Sequence, residues 1–141
     1  MRDMFLRYQS EQLFLRSEDR VIVKIQWRIA PRYFPFESGS ERLWKGAERL
    51  SIGGTKVLAL SPENMLFALC VHGAQCIWKR LELVCDVAEL IRAEKKMDWS
   101  QIMQQAGTLG IERMLFLGLY LARDLLGAAL PEEVLQRVEP D

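Results

Sequence analysis

The sequence lacks an excess of charge of either sign and any long apolar run. Its 19 Lys and Arg residues balance 19 Asp and Glu residues over 141 positions, so the formal net charge is zero. Dedicated nucleic-acid binders carry a basic excess, and Lys79-Arg80 and Lys95-Lys96 are only short basic pairs, so no nucleic-acid partner is expected. No apolar run approaches the roughly 18–20 residues that a membrane span needs, so no membrane partner is expected either.

The chain also lacks the signatures of common catalytic sites. It has a single histidine, His72, and no G-x-S-x-G turn, Walker loop or G-x-G-x-x-G loop. A magnesium site needs two or three converging carboxylates, yet the sequence contains no Asp-x-Asp pair. Its one acid-x-acid triplet, Glu139-Pro140-Asp141, stands at the chain end. We therefore predict no metal site and no catalytic residue in this chain by itself.

The cysteines and the first residues bear on the compartment. The N-terminus has none of the features of a signal peptide, and three cysteines cannot all pair within one chain, which predicts a cytoplasmic protein. Zinc binding by these cysteines and His72 is the alternative. Zinc sites usually join two short ligand pairs from separate elements, whereas all four residues fall in one helical region, so buried helical cysteines are favoured. The cysteines are Cys70, Cys76 and Cys85.

The first 60 residues show the two-residue periodicity of β-strands. Over residues 21–29 apolar side chains alternate with Lys24, Gln26 and Arg28, which predicts a half-buried strand. A polar turn at 17–19 separates it from the apolar run 13–15. Gly53-Gly54 separates two further runs, 50–52 and 55–60, and supplies the positive φ of a tight turn. We predict two antiparallel hairpins.

From Ser61 onward the periodicity is helical, with Ser61 and Asp98 as suitable N-caps and Pro62 in a first turn. The chain is therefore α+β, with N-terminal hairpins followed by a bundle of about four to five helices. We expect residues 1–60 and 61–141 to form one compact unit. Besides the helix that starts after Ser61, the predicted helices cover residues 77–93, 99–106 (ended by Gly107), 111–126 (ended by Gly127) and 132–138, with a short helix over 41–47 and irregular structure over 30–40.

One stretch, residues 72–86, is unusually dense in functional side chains. On a straight helix His72 and Asp86 are close to four whole turns apart, so they could share a face with Cys76 and Lys79. One hypothesis is a polar strip that lines a cleft. The alternative is a partly buried histidine paired with a neighbour, an Asp86 that caps or ion-pairs within the bundle, and solvated basic residues; spacing alone favours this alternative. The side chains are His72, Gln75, Trp78, Lys79, Arg80, Glu82 and Asp86.

Several motifs together resemble one known family. The most specific are L-C-V-H-G-A-Q-C-I-W-K-R-L at residues 69–81 and the C-D-V-A that follows at 85–88. V-K-I-Q-W-R precedes them at residues 23–28, and weaker matches lie at 58–64, 98–99 and 117–122. These motifs are similar to those of the uncharacterised nucleotidyltransferase family, a branch of the nucleotidyltransferase superfamily with a C-terminal helical region. The resemblance covers nearly the whole chain.

The departures from the family pattern concern the metal site. Family members begin with a region that carries a Gly-Ser or Gly-Gly turn and an Asp-x-Asp pair, whereas no such pair follows Gly39-Ser40 here. The family strand motif reads acid-x-His-Trp, but only Trp27 matches it, because Lys24 replaces the acid and Gln26 the histidine. An ammonium group cannot ligate Mg²⁺. In the helical motif His72, Trp78, Arg80 and Asp86 match, while Cys76 replaces a second histidine.

The resemblance implies the C-terminal portion of a nucleotidyltransferase, truncated or degenerate and not catalytic by itself. Residues 1–60 would then be the β-rich remnant of a nucleotidyltransferase-like sheet. Mg²⁺ and a nucleoside triphosphate would be needed only where a complete family active site is assembled. The resemblance also points to a candidate nucleotide or acceptor cleft formed by His72, Trp78, Lys79, Arg80 and Asp86.

The alternative function is a non-catalytic interaction module. A sheet that lacks half its strands exposes edges and apolar surface, which a second copy or a partner chain would cover. Four aromatic residues are candidates for that surface, although packing within the chain's own core accounts for them equally well. They are Trp27, Phe34, Phe36 and Trp44.

Overall fold

Two β-hairpins precede a set of helices, as the sequence predicts for an α+β chain. The structure is a computed structural model that describes residues 11–18, 20–30 and 39–139. In these ranges the elements are β1 (Glu11–Arg16), β2 (Val21–Gln26), α1 (Gly39–Leu43), β3 (Glu48–Ile52), β4 (Thr55–Ala59), α2 (Pro62–Gln75), α3 (Leu81–Ala93), α4 (Trp99–Leu109), α5 (Glu112–Leu126) and α6 (Glu132–Val138).

The first hairpin pairs β1 with β2 in antiparallel register, with Phe14 opposite Val23. Because side chains alternate along a strand, Lys24 and Gln26 lie on one face and Val23 on the other, as the sequence predicts. The strand ends at Gln26 rather than at residue 29, and the prediction that it is half-buried is wrong. Every β2 residue is exposed, and Ile22 keeps 66% of its accessible surface, since none of the described helices packs extensively against this hairpin.

The second hairpin pairs β3 with β4 around the predicted glycine turn. Ile52 faces Thr55 across the turn, where Gly53 has φ 56° and Gly54 has φ 81°. Two successive positive φ values match the type I′ turn that favours the twist of a hairpin, and glycine adopts them without a Cβ clash.

Helix α2 begins as predicted but ends earlier than a continuous polar strip requires. The hydroxyl of Ser61 accepts a hydrogen bond from the backbone N–H of Asn64 at 3.3 Å. The helix ends at Gln75, and Ile77 and Trp78 have φ values of 55° and 48°. Left-handed backbone at two successive residues interrupts a right-handed helix. The predicted helix start at residue 77 is therefore wrong, and α3 starts at Leu81.

The later helix ends follow the cap chemistry with one correction. The carboxylate of Asp98 accepts from the N–H of Gln101 at 2.9 Å and caps α4, as predicted. Helix α4 passes through Gly107 and ends at Gly110, which has the left-handed φ of 70°. Gly127 ends α5 with φ 66°, as predicted. The short helix expected over 41–47 is α1, which ends at Leu43 and continues as a turn.

Helix α5 lies at the centre of the helical packing and contacts α2, α3, α4 and α6. The interior is apolar, and no polar or charged residue in the described part of the chain is buried. Ile29 and Ala30, which follow β2, also pack on this core. Among the residues that the structure describes, no helix is long and apolar enough to cross a membrane. The largest fully buried side chains include Phe67, Leu66, Ile102, Leu115 and Leu119.

Candidate functional site

The predicted polar strip lies on a helical hairpin, not on one straight helix. Residues 76–80 form the turn between α2 and α3, and these two helices pack against each other. His72 stands three residues before the end of α2 and Asp86 five residues after the start of α3, about 4.5 and 7.5 Å along each axis. The spacing of four helical turns that a straight helix would give therefore does not apply. The turn nevertheless places both residues at the same end of the hairpin.

Trp78 holds this turn in place. Its N–H donates to the carbonyl of Gly73 at 2.9 Å, and its indole ring packs against Gly73 and Gly118. A Cβ added to Gly118 would lie 2.7 Å from Cys70 Sγ and 3.0 Å from the ring, so both glycines leave space for the indole. The ring is half-buried against the core, so its main contacts are with the helices.

Two polar side-chain atoms beneath the turn have no hydrogen-bond partner in the described part of the chain. They are Nε1 of Trp78 and Nε2 of Gln75, and both atoms are buried. An unpaired buried donor costs about 1–3 kcal/mol, so the apolar packing of the ring has to offset this loss. The polar strip predicted from the sequence includes both residues but not Gly118, whose signal is a glycine in the middle of an apolar helix.

His72 and Cys76 are neighbours on the last turn of α2. The distance from His72 Nε2 to Cys76 Sγ is 3.9 Å, and both side chains are half-buried. Cys85 lies on α3. No group of three His, Cys, Asp or Glu side chains in the described ranges is close enough to hold a metal ion. The four residues weighed for zinc are therefore not assembled into one cluster.

Cys70 belongs to the packing of the core. It is fully buried on α2, and burial raises the pKa of its thiol to about 12 because the thiolate would lose its hydration. The thiol therefore stays protonated near neutral pH. All three cysteines are free, so the described chain contains no disulfide.

The charged residues of the strip are exposed around the turn. Arg80 forms an ion pair with Glu82 at 2.6 Å, with both side chains more than half exposed. Lys79 and Asp86 are exposed, and neither forms an ion pair with any other described residue. Exposed pairs contribute about 0–1 kcal/mol, so Arg80 can exchange Glu82 for an anionic ligand at little cost.

The strand-motif residues have local partners. Lys24 Nζ lies 2.7 Å from Glu11 Oε2 across the first hairpin. The amide of Gln26 donates to the carbonyls of Arg28 at 2.7 Å and Ile29 at 3.3 Å, which fixes the backbone where the strand ends. Lys24 and Gln26 therefore both contact residues within the first hairpin or just after it.

The aromatic residues considered for an interaction surface divide into three cases. Trp44 is 53% exposed after α1, and Trp27 is half-buried after β2. Phe34 and Phe36 lie outside the described residues. The exposed apolar surface is instead mainly on the strands, where Leu15 is 70% exposed.

The comparison with protein families finds the same family that the sequence motifs resemble. The model of the family described as uncharacterised nucleotidyltransferase matches residues 3–127, which is most of the chain. The chain therefore belongs to the uncharacterised nucleotidyltransferase family. No curated protein and no solved structure is significantly similar to it.

Proposed function

We propose that this protein is a truncated or degenerate nucleotidyltransferase that does not transfer nucleotides by itself. The polar end of the α2–α3 hairpin, defined by His72, Lys79, Arg80 and Asp86, would face the nucleotide or its acceptor. The observation that carries this proposal is that one turn, fixed by the half-buried ring of Trp78, presents these four side chains at one end of two packed helices.

The charges of the polar end suit a phosphorylated ligand. Lys79 has no ion-pair partner in the described chain, and Arg80 has only an exposed one. An Arg guanidinium and a Lys ammonium are the side chains that most often bind phosphate oxygens. Asp86 and His72 can accept hydrogen bonds from hydroxyl groups of a sugar or acceptor.

Catalysis needs carboxylates that the polar end does not supply. Phosphoryl-type transfer depends on positioning and on metal ions held by acidic residues. Asp86 is the one acidic residue among the four, and the sequence has no Asp-x-Asp pair. Mg²⁺ and a nucleoside triphosphate would act here only where another segment or chain completes the site. Three free cysteines accord with the cytoplasmic location that the sequence predicts.

Two assays on the full chain test this proposal. Incubation with Mg²⁺ and labelled nucleoside triphosphates should give no transfer, and robust transfer would overturn the inactive assignment. Calorimetric titration should show that the chain binds ATP. The substitutions Asp86→Asn and Lys79→Gln should change the affinity for ATP. The matched controls are Asp124→Asn and Lys95→Gln, because these residues are also exposed but lie elsewhere. ATP binding that both sets of variants leave unchanged would contradict a role for the polar end.

A second candidate function, an interaction module, is favoured by the exposed hairpins. Three apolar residues of β1 are more than half exposed, and both sheets have only two strands within the described residues. Such unpaired edges are templates for pairing with another chain. The β1 residues are Leu13, Phe14 and Leu15.

We propose a second copy of this chain as the partner, paired through the outer edge of β1. In an antiparallel arrangement with Phe14 opposite its symmetry mate, Leu13 faces Leu15 and Gln12 faces Arg16, so like charges do not meet. The edge of β2 is less suitable because Lys24 lies near its centre, where a twofold pairing brings like charges close.

Light scattering after size exclusion tests the dimer. We expect a concentration-dependent dimer that Phe14→Glu dissociates, while Ile52→Glu on the other hairpin leaves it intact. Far-UV circular dichroism should show that both variants keep their helices. A monomer at every concentration would exclude this candidate.

A further inference from the structure

A cleft lies at the opposite end of α2 from the polar end. It has a volume of about 410 Å³ and is bounded by the turn after α1, the start of α2 and one face of α4. Small-molecule sites have volumes of about 300–1,000 Å³. Helix α2 has 14 residues and is about 21 Å long, with the cleft at its start and the polar end at its other end. The two regions can therefore be tested separately.

The wall formed by the turn after α1 is held by a side-chain amide. Asn64 Nδ2 donates to the backbone carbonyls of Leu43 at 2.9 Å and Lys45 at 3.2 Å. The Leu43 side chain is only 1% exposed, so the same turn is also anchored in the core. A wall with these two attachments is formed before any ligand arrives, which lowers the entropy cost of binding.

Two cations and one carboxylate line the cleft. Arg42 and Lys45 come from the anchored turn, and Glu63 comes from the first turn of α2. Neither cation forms an ion pair with another described residue. The lining therefore has a net charge of one positive unit, which favours an anion of small charge over a highly charged one.

The opposite wall offers uncharged hydrogen-bonding groups. Gln101, Gln105 and Thr108 line the cleft from α4, and their spacing of four and three residues places them on one helical face. The side-chain amides of Gln101 and Gln105 make no hydrogen bond to other described residues. Each amide can both donate and accept, which suits the hydroxyl groups of a sugar.

We propose that this cleft binds a phosphomonoester of a small polyhydroxyl compound, such as a sugar phosphate. Arg42 and Lys45 donate to the phosphate oxygens, and Gln101 and Gln105 bind the hydroxyl groups. Glu63 opposes a second or third phosphate, because its carboxylate repels added negative charge. The site is independent of the function proposed for the α2–α3 turn.

Titration of the full chain with glucose 6-phosphate, inorganic phosphate and glucose tests the site. We expect saturable binding of glucose 6-phosphate that Arg42→Gln weakens about tenfold, since a charge-assisted hydrogen bond is lost. Gln105→Leu should weaken binding of glucose 6-phosphate but not of inorganic phosphate. Arg113→Gln, an exposed arginine on α5, is the matched control and should change neither.

Two outcomes would overturn this inference. The first is the absence of saturable glucose 6-phosphate binding, and the second is binding that Arg42→Gln and Lys45→Gln leave unchanged. Glu63→Gln tests the direction of the electrostatic effect. Removal of the carboxylate should increase the affinity for phosphate. Asp86→Asn should leave binding at this cleft unchanged, so the result does not depend on the polar end.

Discussion

The helical region and the two hairpins contain similar apolar residues but place them in different surroundings. Leu115 of α5 is completely buried, whereas Leu15 of β1 is 70% exposed. An isolated two-stranded sheet is only marginally stable in water, so the hairpins gain little from their own contacts. The difference indicates that the helices supply most of the free energy of unfolding, whereas the strands leave apolar surface exposed.

The sharpest test replaces leucine by alanine in both regions. Leu115→Ala should lower the free energy of unfolding by about 2–5 kcal/mol, because it leaves a cavity in the core. Leu15→Ala, the matched substitution on the hairpin, should change it by no more than about 0.5 kcal/mol at a concentration where the chain is monomeric. Urea unfolding measures both values. Similar losses would show that the hairpin contributes to the core.

The close packing of the Trp78 ring against Gly73 gives the next largest expected effect on stability. Gly73→Ala should cost about 1–3 kcal/mol, because the new methyl group would overlap the indole ring. Gly107→Ala is the control within α4, where a Cβ would meet Glu112 Oε1 at 3.4 Å, an ordinary contact. It should stabilise the protein by up to about 1 kcal/mol through helix propensity. If Gly73→Ala stabilises the protein, the close packing of the Trp78 ring against Gly73 is contradicted.

A pH effect follows from burial of Cys70 in the helical region. Burial raises the pKa of its thiol from the ordinary value of 9.0 to about 12, so the thiol loses its proton at lower pH in the unfolded chain. Stability should therefore fall as pH rises above about 9, by about 1 kcal/mol at pH 10 from this group. Unfolding of the wild type and Cys70→Ala at pH 8 and 10 measures the difference. An equal pH dependence in both proteins would contradict this cause.

The smallest effect is expected on the hairpin. Lys24→Ala removes the ion pair with Glu11, which is partly exposed, and should cost no more than about 1 kcal/mol. Glu89→Ala removes the partner of Arg92 in an exposed ion pair on α3 and should cost a similarly small amount. Thermal unfolding of both variants at low and high salt measures the two losses of stability. A much larger loss for Lys24→Ala would show that the first hairpin is coupled to the core.

Local sequence signals predicted the ends of several elements. Ser61 and Asp98 cap their helices, and Gly53-Gly54 forms the second turn, because each depends on residues close by in the chain. The predicted end of α4 at Gly107 is three residues too early, because the helix ends at Gly110. A glycine within a helix is tolerated when packing on both sides continues, so a glycine alone does not mark the end.

The sequence proposes the residues of the candidate site but not their geometry. Its members from His72 to Asp86 are adjacent in sequence, and the family motif selected them. Their arrangement depends on the turn at Ile77 and Trp78, whose left-handed backbone is unfavourable for both residue types. The cleft that includes Arg42 and Gln105 has no sequence signal, because its walls come from distant parts of the chain.

The sequence by itself determined the α+β order, the two hairpins, the main helices and the family, since periodicity, caps and motifs act over a few residues. Only the tertiary structure decided that α2 stops at Gln75, that Trp78 packs beside Gly118 and that the strands stay exposed. The physical reason is that burial is set by whatever lies opposite a side chain. Alternation predicted a buried strand face, but none of the helices in the described ranges covers it.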